Sequence, residues 1–183
     1  MPAILLFSRE PYALKSAALS ETMTQALGVS CFPCKDGERI AEFDAAEDGS
    51  QAGAVSVDLP DLEEDEGKPI VNFEVAPRLD RDESIQKMVD EIVEQENSLS
   101  EEINNNTFDF ILTFDDTPAA VEAGSVLAYI IAGETDSGIL IPGFTDEDDT
   151  VWFDNAEDFA DAVFGDETED GDDEGEEPEE DGE

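Results

Sequence analysis

Acidic side chains far outnumber basic ones in this chain. The sequence has 51 Asp and Glu against eight Lys and Arg and contains no His, which gives a formal net charge of −43. A chain with this much like charge stays unfolded unless it also has enough apolar residues to form a core. Apolar residues make up 39% of the 183 residues and include eleven Phe. We therefore expect a folded domain with an acidic surface, and the length suits one such domain.

The acids are densest at the C-terminal end of the sequence. Thirteen of them lie in residues 166–183, DETEDGDDEGEEPEEDGE, a segment without any cation or any apolar side chain. Such a segment cannot offset the conformational entropy that ordering costs, so we predict a disordered acidic tail. Residues 1–165 keep 38 acids against all eight cations, a net charge of −30. We predict that they form a single globular domain that is itself strongly acidic.

Apolar periodicity predicts an α+β domain. Short alternating or continuous apolar runs predict seven strands, at residues 3–7, 29–34, 53–59, 69–75, 108–114, 138–144 and 150–153. Helical spacing predicts four helices, at residues 12–27, 84–103, 119–133 and 155–164. Gly28 suits a helix C-cap, and Thr117 followed by Pro118 is typical of a helix start. The predicted fold is a single mixed or antiparallel sheet with about four helices, in the order β-α-β-β-β-α-β-α-β-β-α.

Several of these segments together resemble a known family. The opening ILLFSREP, the run FDFILTFDD, the helix VLAYIIAGETDSG, and the segments ILIPG and VWFDNAEDFADAV are similar to those of an uncharacterised family of bacterial α+β proteins. The resemblance covers most of residues 1–165 but not the tail. It implies the same α+β fold, and it transfers no catalytic residue because its motifs are packing patterns.

The most enzyme-like motif is Cys31-Phe32-Pro33-Cys34, which has the C-x-x-C spacing of thiol–disulfide exchange proteins. Such a motif needs a strand before it and a helix after it, so that the first sulfur lies at a helix N-terminus. Here a predicted helix ends at Leu27, and Asp36-Gly37 follows the second cysteine. The surrounding acids also raise rather than lower a thiol pKa. We interpret Cys31 and Cys34 as small, partly buried hydrophobic residues and keep the redox function as an alternative.

A second candidate site is the acidic pair Asp115 and Asp116, which lies between a predicted strand and a predicted helix. Functional groups of α/β sheets tend to lie at such an edge, and paired carboxylates there are suitable ligands for Mg²⁺. The alternative interpretation is that these acids cap the helix and complement its dipole. We favour capping, because the sequence has no Gly-rich phosphate loop. No cofactor is predicted.

The predicted helix 84–103 has a dense acidic face and is the candidate partner-binding surface. Its acids are Asp90, Glu91, Glu94, Glu101 and Glu102. A basic protein is the partner that such a surface attracts, whereas direct binding of nucleic acid or of an anionic membrane is disfavoured. A charged helix face is also commonly just solvated. The sequence does not decide between these interpretations.

We therefore expect a non-enzymatic acidic protein that is salt-adapted, binds a basic protein surface, or does both. One alternative is a nucleic-acid mimic that inhibits a DNA- or RNA-binding protein, with its acids in rows of phosphate-like spacing. The other is a thiol–disulfide oxidoreductase that uses Cys31 and Cys34. The sequence lacks a signal-peptide pattern and a long apolar segment, so a cytoplasmic location without membrane association is expected. The sequence leaves the oligomeric state open.

Overall fold

A computed structural model describes residues 2–8, 13–59, 68–77, 83–95, 103, 105–143 and 150–165. The strands in these residues are β1 (Ala3–Ser8), β2 (Ser30–Lys35), β3 (Glu38–Arg39), β4 (Gln51–Asp58), β5 (Ile70–Pro77), β6 (Phe108–Phe114), β7 (Gly138–Pro142) and β8 (Thr150–Phe153). The helices are α1 (Ser16–Leu27), α2 (Glu83–Gln95), α3 (Pro118–Thr135) and α4 (Ala156–Phe164). The predicted α+β class and element order are confirmed, with β3 as one additional short strand. The predicted disordered tail, residues 166–183, lies outside the described residues.

The strands form one eight-stranded sheet in the order β3-β2-β4-β5-β6-β1-β7-β8. Every neighbouring pair is antiparallel, which decides between the mixed and antiparallel sheets that the sequence allowed. The N-terminal strand β1 lies inside the sheet between β6 and β7. Successive side chains of a strand point to opposite faces. Because β1 is buried at nearly every position, both of its faces must be covered.

Three helices cover one face of the sheet and one helix covers the other. Helices α1, α3 and α4 contribute Met23, Leu127 and Phe159 to the core that contains Ile4 and Leu6 of β1. On the opposite face, α2 packs Val89 and Ile92 against a second core, whose sheet residues are Leu5, Phe7 and Leu140. Alternate residues of β1 therefore belong to different cores. The outward face of α2 is left to solvent.

The strand that the sequence did not predict, β3, arises from a tight hairpin. Asp36 and Gly37 connect β2 to β3, with φ of 52° and 81°. Two consecutive left-handed residues are what a two-residue hairpin turn requires, and Asp-Gly supplies them at little cost. The turn pairs Cys34 with Arg39 and Lys35 with Glu38. Cys34 is thereby held in extended backbone at the start of a hairpin.

Helix α1 begins later than its apolar pattern predicts. Leu14 precedes the helix, and its backbone N–H donates to Gln51 Oε1 at 2.9 Å while its carbonyl accepts from Gln51 Nε2 at 3.2 Å. The Gln51 side chain, at the start of β4, thus takes both backbone groups of Leu14. The helix starts at Ser16, whose hydroxyl accepts from the backbone N–H of Phe43 at 3.0 Å. These contacts attach the helix start to β4 and to the loop before it.

Helix α3 approaches β6 closely through Gly124. A Cβ atom at this position would overlap the Phe114 ring, so only glycine allows the helix and the strand to come this near. Gly133 lies about two and a half turns further along the same helix, and a Cβ atom there would meet nothing within 4 Å. The two glycines therefore have opposite structural requirements within one helix.

We predict opposite stability effects for alanine at these two positions. Gly124→Ala should lower the free energy of unfolding by about 1–3 kcal/mol, because the added methyl overpacks the interface. Gly133→Ala should raise it by about 0.5–1 kcal/mol, because alanine favours a helix and has room there. Urea unfolding monitored by circular dichroism measures both. Two stabilising substitutions would contradict the close packing of Gly124 on Phe114.

Candidate functional site

The structure does not bring the two cysteines together. Both lie in β2 and are buried free thiols. Residues three apart in a strand point to opposite faces, and their Cα atoms are roughly 10 Å apart. A disulfide needs Cα atoms closer than about 7 Å. Cys31 belongs to the core under the helices, whereas Cys34 lies beside Ala54 and Arg39 in the neighbouring strands.

Burial raises the pKa of both thiols. For Cys31 the rise caused by burial exceeds the lowering effect of the Thr24 side chain, and for Cys34 burial is the cause. Cys31 borders a groove of about 620 Å³ between α1 and β2, yet only 4% of its surface is exposed. A raised thiol pKa and burial are opposite to what a reactive cysteine has. The environment of these thiols is typical of structural cysteines.

We predict slow thiol chemistry in the folded protein. Near neutral pH, the raised pKa leaves a smaller fraction of thiolate than a free cysteine has, and burial blocks access of a reagent to the sulfur. Reaction with an aromatic disulfide reagent should be at least roughly a hundredfold slower in the native state than in urea, and raising the pH should speed it. Absorbance of the released thiolate measures the rate. Fast native reaction, or a Cys31–Cys34 disulfide that forms in air, would contradict this interpretation.

The acidic pair Asp115 and Asp116 lies where it was expected, between the end of β6 and the start of α3, and both residues are exposed. Thr117 is the N-cap residue, as predicted, and Pro118 follows at the first turn. The Thr117 side chain makes no capping hydrogen bond, and the first turn contains no acid. The favourable interaction open to Asp115 and Asp116 is therefore with the positive end of the helix dipole, at the start of α3.

The described residues contain no group of three or more His, Cys, Asp or Glu side chains that would hold a metal ion. Two exposed carboxylates supply only part of the six to eight oxygen ligands of calcium, and of the octahedral shell of magnesium. A magnesium site at Asp115 and Asp116 would thus depend mainly on water or on a bound substrate.

Helix α2 presents its acids to solvent. Asp90, Glu91 and Glu94 are exposed, and Val89 and Ile92 on the opposite side pack against the sheet. Lys87 Nζ lies 3.4 Å from Glu91 Oε1, and Gln86 Nε2 donates to Asp90 Oδ1 at 2.7 Å. The other two candidate residues, Glu101 and Glu102, lie outside the described residues. The described part of this face is an acidic helix surface with one local counter-charge.

Acidic side chains are not confined to α2. Every Asp and Glu in the described residues is exposed except Asp109. Exposed acids occur on all four helices, in the turn between β2 and β3, and in the loop before β4. This arrangement surrounds the described structure with negative charge instead of collecting it in one row.

Three of the described cations form local contacts with acids or with one aromatic ring. Lys35 lies 3.9 Å from Asp44, and Lys68 lies 2.6 Å from Asp58. Lys68 and Arg39 also lie over the Phe32 ring, 5.5 Å and 5.3 Å from its centroid. Exposed ion pairs contribute about 0–1 kcal/mol each. They leave the net negative charge of the surface unchanged.

A buried polar cluster that the sequence reasoning missed lies where β6 begins. Asp109 and Asn106 are 2% and 3% exposed, and Asn106 Nδ2 donates to Asp109 Oδ1 at 2.6 Å. The same amide donates to the Phe108 carbonyl at 3.2 Å. Ser8 at the end of β1 is also buried, and its carbonyl accepts from the Thr107 N–H at 2.8 Å. The signal in the sequence is an acid inside the apolar strand FDFILTF.

This cluster fixes the connection into β6. Asp109 pairs with Phe7 of β1 and with Ala76 of β5, so its carboxylate lies within the sheet and beside the core under α2. Among the described residues, no buried side-chain nitrogen or oxygen lacks a hydrogen-bond partner. A buried carboxylate with satisfied partners restrains the backbone around it. We assign the cluster a structural role.

None of the described helices combines the length and the apolar character that crossing a membrane requires. Comparison of the chain with family models, with curated proteins and with solved structures found no match.

Proposed function

We propose that this chain is a non-enzymatic, salt-adapted acidic protein that binds the surface of a basic protein. The observation that supports the proposal is the placement of the acids: within the described residues all but Asp109 are exposed, and they lie on every helix. A cytoplasmic location is part of the proposal and rests on the sequence alone.

Salt adaptation is supported by the spread of the acids. Like charges distributed over a whole surface repel each other at low ionic strength, where the Debye length is about 30 Å at 0.01 M. At about 1 M the Debye length is about 3 Å, and the repulsion is largely screened. A nucleic-acid mimic would instead concentrate its acids in rows. The described acids surround the molecule, which favours salt adaptation over mimicry.

Binding of a basic protein is supported by the same charge. A net charge of −43 attracts a basic surface over a long range and raises the encounter rate, and this effect decreases with salt. The thiol–disulfide alternative has less support, because the two thiols point to opposite faces and have a raised pKa.

Titration of fluorescent peptides tests the proposal. We expect an oligolysine peptide to bind at about 0.1 M KCl and to lose affinity steeply towards about 1 M, as charge-driven association does. A Gly/Ser peptide of equal length controls for nonspecific adsorption, and a DNA duplex should not bind. Fluorescence anisotropy measures the affinities. Equal affinity for the lysine and Gly/Ser peptides at about 0.1 M KCl would refute the partner-binding part of the proposal.

A further inference from the structure

An open groove lies on the helical side of the molecule, between α3 and α4. Its volume is about 580 Å³, and its lining includes Tyr129 and Gly133 of α3 and Ala156 and Ala160 of α4. Small side chains leave room in such a groove for a bulky apolar side chain of another molecule. Pockets that bind ligands or peptides commonly combine an apolar interior with a few polar groups.

Two exposed aromatic residues lie at this surface. Tyr129 and Phe164 are 45% and 43% exposed, and their ring centroids are 6.4 Å apart in an edge-to-face arrangement. Phe164 also contacts the buried Phe159, at a centroid distance of 6.2 Å. The exposed pair is therefore supported by the core beneath α4. Aromatic rings held in this way are typical anchors at protein interfaces.

Three acidic residues also belong to the lining of the groove. Glu134, Glu157 and Asp161 border it, and all three are exposed. Carboxylates at the rim and aromatic faces beside them both attract Lys and Arg side chains. The groove thus offers an apolar interior and a cation-attracting rim within one surface.

We propose that this groove, which we call the α3–α4 groove, binds a short segment of a basic protein in which Lys or Arg residues flank a bulky apolar side chain. The inference rests on the proposed function and specifies the surface that serves it. Charge excludes the two other occupants. Residues 166–183 have no apolar side chain to fill the groove and carry thirteen acids, and a second copy of the chain brings its own net charge of −43 to the acidic rim. A basic partner alone matches both the interior and the rim.

Two peptides of equal length and charge test the groove. One alternates Lys with Leu and the other alternates Lys with Ser, and fluorescence anisotropy at about 0.15 M KCl compares their affinities. We expect the Lys/Leu peptide to bind at least roughly tenfold more tightly, because only Leu fills the groove. Gly133→Trp should remove this difference by filling the space, whereas Val121→Trp, which adds the same ring to an exposed position of α3 outside the groove lining, should preserve it. We expect the variants to fold, since the substituted positions on α3 are exposed and a Cβ atom at Gly133 meets nothing within 4 Å.

A charge-matched pair of variants separates local from long-range attraction. Glu134→Lys with Asp161→Lys reverses the rim, and Asp90→Lys with Glu94→Lys makes the same charge change on α2. We expect the rim variant to weaken Lys/Leu binding at least roughly tenfold and the α2 variant to weaken it by less than about threefold. Equal losses of affinity in the two variants, or equal binding of the two peptides, would refute the proposed role of the α3–α4 groove. Charge-driven binding of basic partners would remain.

Two further outcomes have a defined meaning. Failure of both lysine peptides to bind the unmodified protein would overturn the proposed function as well as the groove. A dimer that forms at high salt, as measured by light scattering, and that Gly133→Trp abolishes would show that the α3–α4 groove takes a second copy. That result would also overturn the proposal.

Discussion

Raising the KCl concentration from about 10 mM to about 2 M is expected to raise the midpoint of thermal unfolding by roughly 10 °C, which for a chain of this length corresponds to about 3 kcal/mol. The described acids surround the structure, and all but Asp109 are exposed. Their mutual repulsion destabilises the compact state more than the expanded unfolded chain, in which the charges are further apart. Salt screens the repulsion and so favours the folded state. Circular dichroism melts across the salt range measure the effect.

A charge variant identifies the cause of this salt dependence. Glu42 and Glu47 are exposed in the loop before β4. Glu42→Gln with Glu47→Gln should raise the midpoint at low salt and change it little at high salt. An unchanged midpoint in the unmodified protein would refute salt adaptation. An equal shift of the variant at both salt concentrations would show that screening of these charges is not the cause.

The sequence predicted the elements whose signals are local. The strands β6 and β8 have the predicted bounds, 108–114 and 150–153. Gly28 is the C-cap of α1 with φ of 67°. These features depend on alternating apolar residues or on one glycine in a left-handed conformation, and both are visible within a few residues. Interactions between residues close in sequence were therefore sufficient to predict the structure at these positions.

Features that depend on distant residues were not predicted. Leu14 fits the apolar period of α1, but the Gln51 side chain takes its backbone groups from 37 residues away. The helix therefore starts after it. The strand β3 has only two residues, both charged and exposed, so no apolar alternation marks it. The order of strands in the sheet likewise depends on pairing between segments that are far apart in the sequence.

The candidate sites show the same limit. The sequence correctly placed Asp115 and Asp116 between a strand and a helix. Whether further metal-ligand groups lie near these two carboxylates depends on the fold. The separation of the thiols onto opposite faces follows from the strand that carries both. The α3–α4 groove combines residues of two helices, and no local pattern joins Tyr129 to Phe164. Burial of Asp109 depends on strands that lie far from it in the sequence.

Asn106→Ala is expected to lower the free energy of unfolding by about 3 kcal/mol. The substitution removes the Asn106 Nδ2 donor that lies 2.6 Å from Asp109 Oδ1 and 3.2 Å from the Phe108 carbonyl. Removing one partner of a buried charged group leaves its desolvation less well compensated, which costs more than the loss of a neutral hydrogen bond does. Asn106→Asp should cost more still, because it keeps the size of the side chain but replaces the donor with a second carboxylate. Urea unfolding measures both variants.

The control for this prediction is Asn72→Ala, which removes an exposed amide from β5 and should change the free energy of unfolding by no more than about 0.5 kcal/mol. Salt separates the buried cluster from the acidic surface. Screening acts on exposed charges and much less on buried pairs, so the loss caused by Asn106→Ala should be nearly the same at low and high KCl. A loss that disappears at high salt would mean that Asp109 behaves as one more surface acid, and that the cluster does not fix the start of β6.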